Sequence, residues 1–193
     1  MEFEFKKEII YPQDPIYKDL LTDKFKNYYK TKYEICKEHK PKRIAEIGVR
    51  AGYSAWSFLQ ACPKAEYFGY DANNGQHGGE GGEDGSFALW ADTILTSYKY
   101  SLEFVDTQGI EVLEISDIDF FHVDGDHSVE GVMHDLDLAY GAIKVGGVIL
   151  VDDITFINDV RNGAARWMAE NREKIRNEFR PSMRGEMLIY KEK

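Results

Sequence analysis

The sequence predicts an α/β domain in which a mostly parallel central sheet is covered by helices on both faces. Three observations support this. Short apolar segments alternate along the chain with longer segments of helical periodicity. The apolar segments are continuous, which is typical of strands buried on both faces. Glycine or aspartate follows several of them directly, and ligands of parallel sheets bind at the carboxyl ends of the strands.

The bulk composition suits one domain with a hydrophobic core. The chain has 193 residues, of which 43% are hydrophobic, and a formal net charge of −10. This charge argues against long nucleic acid or an anionic membrane as a partner. No stretch approaches the roughly 20 apolar residues of a membrane span, and the first residues lack the apolar run of a signal peptide. We therefore expect a cytoplasmic protein, with homo-oligomer formation left open.

The elements are assigned in chain order. Residues 11–40 carry aromatic and aliphatic side chains at helical spacing and are closed by Pro41, which predicts an N-terminal helical cap over residues 1–40. The main domain is expected over residues 41–193, within one compact domain overall. Predicted strands are residues 43–47, 66–70, 102–105, 118–123, 148–151 and 186–190. Predicted helices are residues 54–61, 89–100, 129–143 and 157–179, and a turn is predicted at 181–185.

Two further features do not belong to the regular elements. Residues 73–86 hold six glycines among acidic residues, which predicts a functional loop that closes over a ligand as a lid. Cys36 and Cys62 match no metal-binding spacing and are expected to be free thiols.

A glycine-bearing turn follows the first strand and opens a helix. Its glycines, Gly48 and Gly52, allow a ligand to approach the backbone, but they lack the G-x-G-x-x-G spacing of a dinucleotide site. The carboxylate of Glu46 would repel a pyrophosphate and would suit a cationic ligand such as S-adenosylmethionine. Asp71 ends the second strand, where an acid accepts hydrogen bonds from ribose hydroxyls. A tight turn with solvated acids is the alternative interpretation.

Three aspartates end two later strands. Asp124 follows the fourth predicted strand, and Asp152 and Asp153 follow the fifth. Carboxylates that converge repel one another unless a cation lies between them, and oxygen ligands favour Mg²⁺, Mn²⁺ or Ca²⁺. Such a metal would bind a substrate hydroxyl and lower its pKa. Alternatively, these aspartates cap the helices that follow, a role that fits Asp126 best.

The motif E-x-G-x-x-x-G-Y-S at residues 46–54 resembles the first motif of the metal-dependent class I O-methyltransferases of the catechol and caffeoyl-CoA type. The resemblance covers residues 43 to about 160 and implies a Rossmann-like methyltransferase fold. It implies that Glu46, Gly48 and Ser54 contact the amino-acid part of S-adenosylmethionine and that Asp71 contacts the ribose. We also expect Gly52 and Asp124 beside the cofactor.

The resemblance also implies a metal and a base. Those enzymes have a ligand Asp after the fourth strand and an Asp-Asn pair after the fifth, where this chain has Asp124, Asp152 and Asp153; Mg²⁺ is the expected ion. A lysine thought to act as base is replaced here by His127, which suits neutral pH. The segment D-G-D-H-S at 124–128 is similar to a bacterial branch related to macrocin-type O-methyltransferases, whose members methylate sugar hydroxyls.

The resulting hypothesis is an S-adenosylmethionine-dependent O-methyltransferase that acts on a hydroxyl of a small molecule, such as a natural product, sugar or phenol. The reaction would be an in-line displacement at the methyl carbon. Two alternatives stay open. A nicotinamide-dependent oxidoreductase would share the sheet and Asp71, and an inactive methyltransferase-like module would bind ligand without turnover.

Overall fold

A computed structural model describes residues 2–75, 77 and 84–193. The strands are β1 (Arg43–Ile47), β2 (Glu66–Asp71), β3 (Lys99–Phe104), β4 (Ile118–Val123), β5 (Ile143–Val151), β6 (Ile175–Arg180) and β7 (Glu186–Lys191). The helices are α1 (Tyr17–Leu20), α2 (Asp23–His39), α3 (Tyr53–Ala61), α4 (Ser86–Leu95), α5 (Val129–Ala142) and α6 (Asn158–Glu170). Two 3₁₀ turns lie at Lys7–Ile9 and Thr107–Gly109. Half of the predicted lid, residues 76 and 78–83, lies outside the described residues.

The strands form one sheet in the order β3-β2-β1-β4-β5-β7-β6. Neighbours among β1 to β5 are parallel, whereas β7 is antiparallel to both β5 and β6. The predicted α/β class with a mostly parallel sheet is confirmed. Because β1 lies between β2 and β4, the strand order reverses beside it, and this is where such sheets bind ligands.

Helices cover both faces of the sheet, as the continuous apolar strands predicted. On one face, Ala45 and Ile47 of β1 belong to a core with α5 and α6. On the other face, Ile44 of β1 packs with apolar residues of α2 and α3. Because side chains alternate along a strand, Glu46 points to the same face as Ile44, toward α2. Among the described residues, no helix has both the length and the apolar character needed to cross a bilayer.

Helix α2 contributes directly to this second core. It begins after Thr22, whose hydroxyl accepts a hydrogen bond from the Phe25 amide, and it ends at Lys40 in the left-handed region just before Pro41. Its buried positions include Tyr28, Lys32 and Cys36, which share one face at a spacing of four residues. The predicted N-terminal cap therefore contains a helix that packs directly on the sheet.

Two boundary predictions were wrong. Residues 171–179 were expected to continue the last helix, but α6 ends at Glu170 and Ile175–Arg180 form the edge strand β6. Its mostly charged sequence resembles an exposed helix face, and only the distant partner β7 makes it a strand. Residues 99 and 100 were likewise expected to be helical, but they open β3, which pairs with β2.

Candidate active site

The carboxyl ends of four strands meet at one edge of the sheet. Hydrogen bonds continue past the strand ends, with the Gly48 amide donating to the Tyr70 carbonyl (2.9 Å), that of Asp124 to Ile47 (2.9 Å) and that of Asp152 to Val123 (3.1 Å). A cavity of about 470 Å³ opens where these loops lie side by side. Its lining includes Gly48, Val49, Arg50, Ser54, Asp71, Ala72 and Asn73 from the predicted cofactor side and Phe25, Tyr28, Tyr29, Asp124, His127, Asp153, Phe156 and Arg184 from the other side.

Gly48 lies where two loops touch. Its φ is +89°, and a Cβ there would be 1.9 Å from the carbonyl oxygen of Asp124. Only glycine fits both the backbone conformation and the space. Gly52, with φ of +79°, is different: a Cβ there would meet Ala91 of α4 at 3.0 Å, and Gly52 does not line the cavity. Gly52 thus allows α3 to pack closely against α4, and its expected contact with the cofactor stays a prediction.

Asp71 and Ser54 line the cavity as predicted. The Asp71 carboxylate accepts hydrogen bonds from the amides of Arg50 and Asn73, each at 2.7 Å. It thereby ties the loop after β1 to the loop after β2. Each carboxylate oxygen retains capacity for a second hydrogen bond, so Asp71 can also accept from a ligand hydroxyl. Ser54 lies in the first turn of α3 and, with Tyr53, lines the cavity.

Glu46 is buried and is not among the residues that line the cavity, so its predicted contact with the cofactor stays a prediction. Its side chain is fully buried; it accepts a hydrogen bond from the Tyr67 hydroxyl and one from Nδ1 of His122 at 2.8 Å. Burial raises the pKa of Glu46 well above its ordinary value. The physical reason is strand alternation, which directs Glu46 under the sheet toward α2 and away from the loops.

Asp124, His127 and Asp153 come together at the cavity wall. A ligand atom from each lies within 4.8 Å of those of the other two. Nε2 of His127 is 3.8 Å from Oδ1 of Asp124 and 3.9 Å from Oδ2 of Asp153. These three residues were all predicted for this site, and the structure confirms that the loops after β4 and β5 bring them together.

Asp152 faces the opposite way and is already paired with a cation. The ammonium of Lys32 donates to Oδ2 of Asp152 at 2.7 Å and to Nε2 of His122 at 2.8 Å, and the Tyr28 hydroxyl also donates to Oδ2. The other oxygen accepts from the Asp153 amide at 2.8 Å. His122, Asp124 and Asp152 are close enough to form a metal site, but the Lys32 ammonium takes the cation position. In this structure the charge of Asp152 is balanced by Lys32, and its predicted role as a metal ligand stays a prediction.

The buried network reaches from α2 across three strands. Since Lys32 donates to Nε2 of His122, the imidazole proton lies on Nδ1 and is donated to Glu46. His122 is thus a buried histidine whose two ring nitrogens are both paired. Although burial alone would raise the pKa of Asp152, the charge of Lys32 holds that pKa well below its usual range.

The carboxyls at the cavity wall show the opposite effect. Burial, together with the charges of Asp152 and Asp124, raises the pKa of Asp153 to about 7. Burial and the charge of Asp152 also raise the pKa of Asp124. Burial would lower the pKa of His127, but the nearby Asp124 and Asp153 raise it above its ordinary value. The cavity-side carboxyls are therefore harder to ionise than ordinary aspartates, and a cation bound beside them would favour their charged form.

Arg184 was missed from the sequence. It lies in the turn between β6 and β7, where Nη1 donates to both oxygens of Asp153 at 3.1 and 3.2 Å. The turn is fixed because the amides of Ile154 and Thr155 donate to the carbonyls of Gly185 and Arg184. The guanidinium also lies 4.9 Å from the Phe156 ring centroid. The turn at 181–185 was predicted, but nothing local indicates that it folds back onto the loop after β5.

The loop that carries His127 is held in place by Asp135 of α5. Asp135 of α5 is buried and accepts hydrogen bonds from the Thr107 hydroxyl at 2.9 Å and the Asp126 amide at 3.1 Å. Asp126 was expected to cap α5, but the cap is Ser128, whose hydroxyl accepts a hydrogen bond from the Gly131 amide. Asp126 instead contacts His77, which lies in the glycine-rich segment.

His77, in the glycine-rich segment, is partly buried and paired with two aspartates. Its Nδ1 is 2.9 Å from Asp126 and its Nε2 is 3.0 Å from Asp106, and it lines the cavity. Burial would lower the pKa of His77, but the hydrogen bonds to the two aspartates raise it. His77 therefore anchors this part of the segment to the cavity wall.

A comparison with known protein families matches the part of the chain that contains most of these cavity residues. A family model described as a methyltransferase domain matches residues 45–154, which is more than half of the chain. No curated protein sequence matches.

Several solved structures are similar in fold. The O-methyltransferase TomG from Streptomyces achromogenes, in complex with SAM, has a TM-score of 0.66 at 15% identity, over 91% of this chain and 83% of that one. An O-methyltransferase from Bacillus cereus, in complex with SAH, has a TM-score of 0.66 at 15% identity, over 86% and 81% of the two chains. The SAH-bound Podospora anserina methyltransferase PaMTH1 has a TM-score of 0.61 at 19% identity, over 97% and 85%. These similarities confirm the Rossmann-like fold.

Proposed function

Because this chain belongs to the methyltransferase domain family and is an S-adenosylmethionine-dependent enzyme, we propose that it transfers the methyl group to a hydroxyl oxygen of a small molecule. The observation that carries this proposal is the single cavity at the strand ends. It joins the Gly48–Asp71 side to the Asp124–His127–Asp153 group. A methyl donor and an acceptor bound on these two sides share one space, as a direct displacement requires. The family match also argues against the alternative of a nicotinamide-dependent oxidoreductase.

The cofactor is assigned to the side formed by the loops after β1 and β2. The backbone at Gly48 leaves room for a ligand because no side chain occupies that position, and Asp71 offers acceptor capacity for ribose hydroxyls. The solved relatives named above that contain SAM or SAH support this assignment. The Asp124 and Asp153 carboxyls line the same cavity and, when ionised, would attract the positive sulfonium of the donor.

The acceptor is assigned to the opposite side. His127 faces the cavity beside two carboxylates and is the group that takes the proton from the acceptor hydroxyl. Rings of Phe25, Tyr28 and Tyr29 line this side. They hold the acceptor by contact with its ring or carbon skeleton and exclude water from the reacting atoms.

We propose a divalent metal, Mg²⁺ by its preference for oxygen ligands, at Asp124 and Asp153. These carboxylates fit because both line the cavity and offer oxygen atoms within 4.8 Å of one another; on Asp153 the ion would share the carboxylate with Arg184. Mg²⁺ commonly uses one or two carboxylates and fills its other positions with substrate and water. When bound, the metal would orient the acceptor oxygen and lower its pKa. Asp152 lies next to this pair and is held in place by hydrogen bonds from Lys32, Tyr28 and the amide of Asp153.

Among small molecules with a hydroxyl, we favour a natural product methylated on a sugar hydroxyl. The reason is the resemblance of residues 124–128 to the macrocin-type branch. A phenol is the second candidate, since flat rings also stack on the aromatic wall.

The test is formation of S-adenosylhomocysteine by the purified full-length chain. S-adenosylmethionine is supplied with a panel of glycosides, phenols and catechols, in Mg²⁺ or in excess chelator, and products are detected by mass spectrometry. We expect one acceptor class to gain a methyl group, and we expect loss of turnover in chelator and in Asp124→Asn. Asp159→Asn, on the exposed surface of α6, is the matched control. Donor binding without turnover of any acceptor would favour an inactive module, and full turnover in chelator would exclude the metal.

A further inference from the structure

The two cysteines meet at the C-terminal ends of α2 and α3. Cys36 lies in the last part of α2 and is fully buried, and Cys62 follows α3 and is partly exposed. Sγ of Cys36 is 3.6 Å from the Phe58 carbonyl oxygen, which also accepts the Cys62 amide at 2.9 Å. Sγ of Cys62 in turn is 3.9 Å from the carbonyl oxygen of Cys36. The Cys36 thiol thus lies against the carbonyl to which the Cys62 amide is bonded, and the Cys62 thiol lies against the carbonyl of Cys36 itself.

We propose that Cys36 and Cys62 form a redox-active pair that a peroxide converts into an intramolecular disulfide. The sequence alone gave two thiols 26 positions apart with no metal spacing. The packing of α2 on α3 brings them together. Cys62 is partly exposed and Cys36 is buried, so an oxidant reaches Cys62 first. Cys36 is the neighbouring thiol that can then react with the oxidised Cys62.

The chemistry divides between the two thiols. The thiolate of Cys62 attacks the peroxide; a sulfur–oxygen bond forms, the oxygen–oxygen bond breaks, and hydroxide leaves. The sulfur of Cys36 then attacks the sulfenic acid, so that the disulfide forms and the sulfur–oxygen bond breaks. The protons of the two thiols combine with the two hydroxides that leave and form water. In sum, two thiols are oxidised to one disulfide and one hydrogen peroxide is reduced to two water molecules.

The electrostatics agree with this order. A hydrogen bond from Cys36 lowers the pKa of the Cys62 thiol, against the opposite effect of its partial burial. Burial raises the pKa of Cys36 well above its ordinary value. Cys62 is therefore the thiol that ionises more readily, and Cys36 is kept as the neutral partner until the sulfenic acid forms beside it.

The position of the pair determines what the bond would do. Helix α3 begins at Tyr53 on the cavity wall and ends beside Cys62, and the cavity residue Tyr28 lies two turns before Cys36 on α2. The disulfide would fix α2 to α3 away from the cavity. We therefore expect the oxidised chain to be more resistant to heat while the cavity stays accessible.

The experiment uses the full-length chain, reduced and freed of reductant, and then treated with hydrogen peroxide. We expect the intact mass to fall by two hydrogen atoms and both thiols to become inert to iodoacetamide. A non-reducing tryptic digest should contain peptide 33–37 joined to peptide 51–64. The melting temperature should rise by roughly 5–10 °C, as expected for closing a loop of this length, and should return to its first value with dithiothreitol.

Two variants separate the proposal from ordinary oxidation. In Cys36→Ala, Cys62 should oxidise to the sulfinic acid or join a second chain, because its neighbour is missing. In Cys62→Ser, Cys36 should stay reduced because it is buried. The proposal is overturned if oxidised wild type carries a sulfinic Cys62 beside a free Cys36. It is equally overturned if the only disulfide found joins two chains, or if Cys62→Ser leaves the oxidation of Cys36 unchanged.

Discussion

Lys32→Met is expected to destabilise the fold by about 3–5 kcal/mol, the usual cost of removing one partner of a buried ion pair. Both side chains of the pair are fully buried, and the ammonium lies 2.7 Å from Oδ2 of Asp152. Methionine fills a similar volume, so little of the loss comes from a cavity. What remains is a buried carboxylate whose charge only the Tyr28 hydroxyl and the Asp153 amide still satisfy. The loss is a large share of the roughly 5–15 kcal/mol that holds a domain folded.

The measurement is urea unfolding followed by circular dichroism, with two matched variants. Lys30→Met changes an exposed lysine of the same helix and should cost no more than about 0.5 kcal/mol. Lys32→Met combined with Asp152→Asn removes both charges and should recover much of the loss, because the buried charge is gone.

The pH dependence has a definite sign. In the wild type, Lys32 lowers the pKa of Asp152 in the folded chain, so this pair stabilises above the ordinary pKa of an aspartate and loses its effect in acid. Without Lys32, burial raises the pKa of Asp152 above its unfolded value, and the folded chain then binds the proton more tightly. The stability difference between wild type and Lys32→Met should therefore be largest near neutral pH and shrink toward pH ~4. A loss equal to that of Lys30→Met, or one that grows in acid, would refute the reasoning.

Three further predictions concern the cavity. Gly48→Ala should abolish donor binding in calorimetry, or prevent folding, because its Cβ would overlap the carbonyl of Asp124; Gly109→Ala, which has open space, should do neither. His127→Asn should lower kcat by about 10²–10⁴-fold in the methyl-transfer assay while the affinity for S-adenosylmethionine changes little, and equal loss of both would contradict a role as base. Asp71→Asn should weaken donor binding by about tenfold or more, since it removes a charged acceptor worth roughly 1.5–3 kcal/mol, and unchanged affinity would remove Asp71 from the cofactor site.

The residues that the sequence located correctly are those fixed by local backbone requirements. Gly48, Asp71, Asp124 and Asp153 each follow a short apolar strand, and parallel strands place such positions at one edge of the sheet. The order of strands did not have to be known for this to hold. His127 was located for the same reason, because its distance from Asp124 along the chain is only three residues.

The residues that sequence reasoning missed are brought to the site by distant elements. Arg184 reaches Asp153 only because β7 pairs antiparallel with β5 and turns the β6–β7 connection back onto the site. Lys32 left a weak signal, since it stands at helical spacing between the buried Tyr28 and Cys36 on an otherwise apolar face. A lysine on such a face needs a buried partner, but its partner, Asp152, is 120 residues away along the chain.

The same contacts explain why the three aspartates do not act alike. Clustering alone predicted mutual repulsion and a shared cation, and it treated Asp124, Asp152 and Asp153 as equals. The fold divides them: Lys32 neutralises Asp152 from the α2 side, whereas Asp124 and Asp153 keep raised pKa values on the cavity side. The cavity-side carboxylates are left to the ligands, although Asp153 is shared with Arg184. In the proposed reaction they bind a divalent cation and stabilise the positive charge that His127 gains when it takes the acceptor proton.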